Sequence, residues 1–173
     1  MIEIKSNWKG RIFVNRRNNR KGIKVKILNP KVYEYGLPSY ATPGSAGMDL
    51  HACLEEPLVI QPGQRSLVST GIAIQMQETD VAGLIFARSG LASKRGISLS
   101  NGVGLIDSDY IDELKVALVN LSDQPQVINP GDRIAQFVLM PVYQVNWIIS
   151  EQLEDTDRKG GFGSTGVGHG VKR

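Results

Sequence analysis

The densest group of reactive side chains lies in residues 101–113, where four carboxylates fall within seven residues. These are Asp107, Asp109, Asp112 and Glu113. Clustered carboxylates suggest a cation, but a calcium-binding EF-hand loop needs acidic or amide residues at alternate positions and then glycine, and Ile111 with Asp112 breaks that pattern. What remains is a glycine-containing hairpin with one carboxylate and one aromatic ring, suited to present backbone amides and carbonyls to a ligand.

A second group, residues 87–91, reads Ala-Arg-Ser-Gly-Leu and marks the end of a predicted strand and the start of a short helix. Backbone N–H groups freed at a helix start, beside the guanidinium of Arg88 and the hydroxyl of Ser89, would suit a phosphate. A Ser-Gly pair at a helix start is about as often only a cap. The residues alone leave both interpretations open.

Three further segments carry weaker signals. Residues 42–50 form a small-residue turn that leads Asp49 into a strand, and an ordinary β-turn is the simpler interpretation. Residues 130–137 are a turn entering a strand. Residues 160–170 hold six glycines in eleven residues but lack the Gly-Lys-Ser/Thr ending of a Walker-type loop. This glycine-rich segment cannot fold alone, so we expect a flexible tail.

The elements that must position these groups are short strands. Turn signals separate apolar runs of strand length at residues 42–45, 61–64, 122–125 and 129–132. The runs are residues 23–28, 58–60, 65–69, 71–75, 83–87, 114–119 and 134–142. No stretch of eleven or more residues keeps a helical apolar period, and residues 88–95 are the one short helix predicted. The predicted fold class is therefore all-β: a sandwich, barrel or jelly roll.

Length and composition limit the class of protein. The 173 residues suffice for one domain with a sizeable core, and no apolar run approaches the roughly 18 residues of a membrane span. Cys53 is the single cysteine, so no internal disulfide forms, and with His51 and His169 it cannot complete a four-ligand zinc site. A single cysteine and the absence of a secretory leader pattern predict a cytoplasmic location without membrane association.

The charge is unevenly distributed. Residues 1–26 hold nine Lys and Arg against one Glu, a balance of +8, whereas residues 27–173 hold eleven against sixteen, a balance of −5. This basic N-terminal arm could make weak contacts with nucleic acid or another polyanion. A solvated leader without a defined partner is the simpler interpretation, and we do not expect nucleic acid to be a principal partner.

Taken in order, the five segments resemble the five motifs of the trimeric deoxyuridine triphosphatase (dUTPase) family, and the resemblance covers residues 23–166. It implies a β jelly roll that forms a homotrimer with three active sites at subunit boundaries. It also implies hydrolysis of dUTP to dUMP and pyrophosphate with Mg²⁺. The implied organisation is a basic extension over residues 1–22, the jelly-roll domain over 23–157, and a tail over 158–173 that closes the active site of a neighbouring subunit.

The resemblance assigns roles in the hairpin. Leu105 and Ile106 would read uracil through their backbone, with Asn101 also in the pocket, and Tyr110 would pack against the deoxyribose and exclude a 2′-hydroxyl. Asp107 would contact the sugar and act as the general base for water attacking the α-phosphorus.

The remaining roles concern phosphate and metal. The implied phosphate contacts are Arg88, Ser89, Gly90 and Gln136, and in the tail Arg158, Ser164 and Thr165, with Lys159 competing for the role of Arg158. Asp49 would lie near Mg²⁺ and reach it through a water. Phe162 would close over the uracil, and Lys115 would be a further pocket contact. Asp112 stands where the family usually has glycine, and Ala87 where proline is common.

Two alternatives stay open at this point. A dCTP deaminase, or a bifunctional deaminase and dUTPase, shares the fold and would need a deaminating glutamate after the hairpin, where Glu113 lies. A nucleotide-gated regulatory binding protein would keep the pocket and use the basic arm to engage a partner.

Overall fold

The structure, a computed structural model, describes residues 4–6, 12–14 and 21–157. The chain divides into two compact units, residues 1–143 and 144–173. In the second unit residues 144–157 contain neither helix nor strand, and Trp147, Ile148 and Ile149 are exposed. No helix in the described part of the chain has the length and apolar character needed to cross a membrane.

The described residues contain twelve strands and two helices. The first strands are β1 (Ile4–Ser6), β2 (Ile12–Val14), β3 (Ile23–Ile27), β4 (Met48–His51), β5 (Leu58–Ile60) and β6 (Arg65–Met76). The others are β7 (Val81–Ala87), β8 (Ile97–Leu99), β9 (Gly104–Ile106), β10 (Glu113–Asn120), β11 (Gln126–Ile128) and β12 (Arg133–Pro141). The helices are α1 (Val32–Tyr35) and α2 (Ser89–Arg95).

Two four-stranded antiparallel sheets form the body of the first unit. Their strand orders are β3-β6-β10-β8 and β4-β12-β7-β9, and the short pairs β1-β2 and β5-β11 complete the strands. Buried side chains from both large sheets form one apolar core, to which β6 contributes Ile72, β10 contributes Val116, and β12 contributes Phe137. This arrangement is a β sandwich, because each sheet buries one face against the other.

Strand β10 illustrates why these residues form strands. Leu114, Val116 and Leu118 are at most 1% exposed, while their alternate neighbours are partly or fully exposed. The period of two places one face of the strand in the core, as the apolar alternation predicts. Each such side chain contributes about 1.5–3 kcal/mol when fully buried.

The strands and helices differ in several places from those predicted from the sequence. The runs predicted at residues 65–69 and 71–75 are one strand, β6, which continues through Gly71 at φ +72°. A second helix, the single turn α1, joins the one predicted, since four residues are too few to show a helical period. Strands β1 and β2 lie in the basic extension, where no strand was predicted.

The segment predicted to be a hairpin is not one. Strand β9 pairs with β7 in one sheet, and β10 pairs with β6 and β8 in the other. Residues 107–112 therefore cross from one sheet to the other. Their turn is closed by the N–H of Tyr110, which donates to the carbonyl of Asp107 at 3.1 Å.

Candidate active site

A charged cluster forms where three neighbouring strands of one sheet meet. Asp49 on β4 is the cross-strand partner of Gln136 on β12. Arg88 directly follows β7, whose last residue pairs with Ala135 on β12. The first residue of β12 is Arg133. Antiparallel pairing thus places side chains from three distant parts of the sequence side by side.

The carboxylate of Asp49 holds this cluster together. Its Oδ1 accepts from Nε of Arg88 at 3.0 Å, and its Oδ2 accepts from Nη1 of Arg133 at 3.0 Å. Nε2 of Gln136 also donates to Oδ1, at 3.4 Å. Asp49 is only 8% exposed, and a buried charge of this kind requires partners of opposite sign. Its contacts fix the direction of both guanidinium groups.

The two arginines keep donors for an oxyanion. Arg88 donates from Nε to Asp49 and from Nη1 to the carbonyl of Arg133, the latter at 3.1 Å. A guanidinium carries five N–H groups, so further donors of Arg88 remain for another acceptor. The side chain of Arg133 is 51% exposed. Arg133 was not among the site residues predicted from the sequence. The sequence does indicate that a carboxylate on a core strand, here Asp49, needs a cationic partner. It does not show which basic residue the strand register will place beside that carboxylate.

His51 lies on β4 two residues beyond Asp49 and pairs with Arg133 across the strands. Burial disfavours the imidazolium and lowers the pKa of His51; the charge of Asp49 opposes this shift, and Arg133 and Arg88 add to it. The lowered pKa favours a neutral His51 beside the cluster at neutral pH.

The surroundings of Asp49 suit an outer-sphere contact with Mg²⁺ rather than direct coordination. Three donors occupy most of the roughly four acceptor positions of a carboxylate, which leaves room for one water. Two guanidinium groups at 3.0 Å would also repel a bare cation. Among the residues that the structure describes, no three His, Cys, Asp or Glu side chains form a metal-binding group. A magnesium ion here would depend on phosphate oxygens for its ligands.

Ser89 and Gly90 are the first two residues of helix α2, and both are exposed. Arg88 is the N-cap residue in an extended conformation, and no side chain caps the helix. A Cβ atom at Gly90 would meet no atom within 4 Å, so packing within the chain does not require glycine there. This space beside Arg88 is open to a ligand or a neighbouring chain.

Among the residues that the structure describes, β9 pairs only with β7 and is therefore the edge strand of its sheet. Its outer edge therefore carries backbone N–H and C=O groups without strand partners. Leu105 lies at the centre of β9 and is 64% exposed. Asn101, also exposed, precedes the strand. An edge of this kind can pair with a planar ligand that has donors and acceptors along one side.

The crossing segment after β9 carries Asp107 and Tyr110. Asp107 is exposed and directly follows Ile106. Tyr110 is 37% exposed, and its hydroxyl donates to the backbone carbonyl of Glu113 at 2.8 Å. Lys115 lies farther along β10, with its Nζ 3.6 Å from Oε2 of Glu113. The predicted tail residues lie outside the described residues; they are Arg158, Lys159, Phe162, Ser164 and Thr165.

The two groups of predicted site residues are not adjacent within one chain. Leu84 on β7 pairs with Leu105 on β9, so Arg88 lies four positions from this pair in one direction and Asp107 two positions in the other. Six positions at roughly 3.3 Å each separate Arg88 and Asp107 by about 20 Å along the sheet. A single chain therefore keeps Arg88 and Asp107 apart.

A cavity in the described part of the chain lies elsewhere. A cavity of about 580 Å³ is lined mainly by apolar side chains, among them Val25, Leu37 and Phe137. Its lining includes none of the predicted site residues that the structure describes. This cavity is therefore not the candidate site.

Comparison with known proteins identifies similar chains. The family model described as dUTPase matches residues 34–166. The deoxyuridine 5'-triphosphate nucleotidohydrolase of Idiomarina loihiensis is 53% identical over 146 residues, covering 83% of this chain and 97% of that protein. The protein of the same name from Desulfitobacterium hafniense is 53% identical over 147 residues, covering 84% and 97%.

A solved structure of a mutant dUTPase of Staphylococcus bacteriophage 80alpha with dUpNHpp has a TM-score of 0.71 to this chain at 23% identity. The match covers 84% of this chain and 99% of that one. This similarity of fold confirms the prediction of an all-β, dUTPase-like jelly roll.

Proposed function

The chain belongs to the dUTPase family, and we propose that it hydrolyses dUTP to dUMP and pyrophosphate at a site built from the β9 edge and the Asp49 cluster. The observation that carries the proposal is that the matching motif residues form two surfaces of complementary chemistry. One offers backbone donors and acceptors beside a carboxylate, and the other offers guanidinium groups.

Uracil recognition rests on the β9 edge. Leu105 and Ile106 would hydrogen-bond the base through their backbone, with Asn101 beside them. Backbone groups at fixed spacing discriminate between bases, because cytosine presents an amino group and an unprotonated ring nitrogen where uracil presents a carbonyl and an N–H. Tyr110 would pack against the deoxyribose, where its ring leaves no room for a 2′-hydroxyl.

The reaction is assigned to Asp107. Its carboxylate takes a proton from a water, the water oxygen bonds to the α-phosphorus, and the bond from that phosphorus to the pyrophosphate oxygen breaks. Arg88, Ser89, Gly90 and Gln136 would bind the phosphates, and the exposed Arg133 extends this set.

Magnesium fits this arrangement as a companion of the triphosphate. When bound it neutralises phosphate charge, and Asp49 would contact it through a water. The main task of Asp49 within the chain is to orient Arg88 and Arg133. Lys115 would be a further pocket contact.

We further propose a homotrimer in which each site draws on more than one chain. The separation of about 20 Å between Asp107 and Arg88 supports this, since both must reach one nucleotide. The tail would complete the site, with Phe162 over the uracil and Arg158, Ser164 and Thr165 at the phosphates. The basic arm's contacts and a cytoplasmic location stay predictions from the sequence.

The deaminase alternative is not favoured by the contacts of Glu113. Its Oε1 accepts from the N–H of Gly71 at 3.0 Å, and its Oε2 accepts from Oγ of Ser69 at 3.3 Å. A carboxylate engaged in this way is poorly placed to shuttle protons to a cytosine. Measured turnover of dUTP would distinguish an enzyme from a purely regulatory binding protein.

The test is pyrophosphate release measured with dUTP, dTTP, dCTP and UTP, with ammonia release from dCTP measured in parallel. We expect release from dUTP in large excess over the other three and no ammonia. The Asp107→Asn protein, purified identically, controls for contaminating host enzymes. Ammonia from dCTP, or dUTP turnover no greater than that control, would overturn the proposal.

A further inference from the structure

Glu113 is the first residue of β10 and lies where the crossing segment rejoins a sheet. Its side chain is 22% exposed. The proposed chemistry does not use its carboxylate, although both of its oxygens have partners in the chain.

The carboxylate clamps an irregularity in β6. Glu113 pairs with Ala73 and Lys115 pairs with Ser69. An advance of two residues along β10 therefore corresponds to an advance of four residues along β6, which makes a bulge in β6. Gly71 lies inside this bulge at φ +72°, where its N–H would lack a ladder partner without Oε1 of Glu113 at 3.0 Å. A carboxylate makes this hydrogen bond stronger than a neutral acceptor would.

The backbone of Glu113 also holds the side chain of Tyr110. Its carbonyl accepts from the hydroxyl of Tyr110 at 2.8 Å. The residues between Asp107 and Glu113 belong to no strand, so Tyr110 is held by the turn at one end and by Glu113 at the other. The position of the ring thus depends on where the bulge clamp fixes Glu113.

We propose that Glu113 is a positioning residue for Tyr110, and that its clamp on the β6 bulge sets the discrimination between deoxyribose and ribose. This inference rests on the proposed function, which gives Tyr110 its place against the sugar. A ring that can move aside admits a 2′-hydroxyl, whereas binding of dUTP itself changes little. The effect should therefore fall on the ratio of kcat/KM for dUTP to that for UTP.

The experiment compares Glu113→Ala, Glu113→Gln, Tyr110→Phe and the Tyr110→Phe/Glu113→Ala double variant. Loss of one or two hydrogen bonds predicts that Glu113→Ala lowers the dUTP to UTP ratio about three- to tenfold, mostly through faster UTP turnover. Glu113→Gln keeps an acceptor for the N–H of Gly71 and should restore most of the ratio. Tyr110→Phe should also lower the dUTP to UTP ratio. The double variant should have a ratio no lower than that of Glu113→Ala, because both substitutions act through the contact between Tyr110 and Glu113.

Glu55→Ala serves as the matched control, since Glu55 is an exposed carboxylate that pairs with Lys31. A purely structural role for Glu113 would lower the unfolding midpoint and leave the ratio unchanged, which would overturn the inference. Additive effects in the double variant would also overturn it. If Glu113→Ala does not fold, Tyr110→Phe decides, and an unchanged ratio there contradicts the proposal. A wild-type chain without dUTP turnover would instead refute the proposed function.

Discussion

Asp107 is the residue to which the proposed function assigns the role of general base. It is exposed and directly follows an edge strand, and its backbone carbonyl closes the turn to Tyr110. A carboxylate that the fold does not bury is free to accept a proton from water. Asp49 differs from Asp107, because its carboxylate is paired with the guanidinium groups of Arg88 and Arg133.

Replacement of Asp107 by Asn should lower dUTP turnover by about 10²- to 10⁴-fold, since the amide keeps the shape but cannot accept the proton. Pyrophosphate release measures the effect, and the unfolding midpoint should stay unchanged. Asp112→Asn is the matched control, because Asp112 is an exposed carboxylate in the same segment. Near-normal turnover in Asp107→Asn would remove it from the role of base.

His51 provides a prediction on pH. Burial is the main reason its pKa lies below the ordinary value of 6.5 in the folded chain. The unfolded chain then binds the proton more readily, so this contribution to stability is complete above about pH 6.5 and is lost as the pH falls below it. We expect the unfolding midpoint of wild type to fall more steeply between about pH 7.5 and 5.5 than that of His51→Gln. Parallel curves for the two proteins would contradict this.

Among the strands, the bulge in β6 organises the contact between two neighbours. Gly71 donates its N–H to Glu113, and its carbonyl accepts from the N–H groups of Leu28 and Asn29. One residue thus links the end of β3 to the start of β10. Its left-handed conformation and its tight surroundings both favour glycine.

Gly71→Ala should destabilise the fold by about 2–5 kcal/mol, the sum of left-handed strain and overpacking. A Cβ atom there would lie 2.7 Å from Sγ of Cys53 and 2.7 Å from a methyl of Val32. Gly63→Ala separates the two causes, because Gly63 has φ +74° but no atom within 4 Å of its Cβ position. Urea unfolding of both variants measures the difference. Equal losses would show that the contacts at Gly71 do not matter.

For the assembled molecule, the proposed shared site predicts complementation. Truncation after Asp157 should nearly abolish turnover while assembly persists, because it would remove the proposed tail contacts of Phe162, Ser164 and Thr165. Co-expression of this truncation with Asp107→Asn at about equal amounts should restore about a quarter of the sites, one half times one half, if Asp107 and the tail come from different chains. Mixed oligomers without recovered activity would refute a site shared in this way.

For the basic arm, residues 1–22, we expect that deletion has little effect on turnover, in contrast to truncation of the tail. Deletion of residues 1–22 should leave dUTP turnover within about twofold, because the five motifs begin after residue 40. Binding of a DNA oligonucleotide by the full chain should weaken with salt and vanish on deletion. Loss of turnover on deletion would show that the strands β1 and β2 support the fold.

The class of fold and the chemical content of the site follow from the order of residues along the chain. Alternation in β10 is a local property, because each residue's face follows from its neighbours along the strand. The motif segments likewise carry their residue types in order, so the sequence is sufficient to predict Asp107, Tyr110 and Arg88 as site residues.

Which strands pair is a property of the folded chain. Asp49 meets Arg88 and Arg133, 39 and 84 positions away, and β9 joins β7 and not β10. Register between distant strands depends on how both sheets bury their faces together, and a short sequence window does not contain that information. For the same reason the bond from Glu113 to Gly71 and the separation of Asp107 from Arg88 could not be predicted from the motifs.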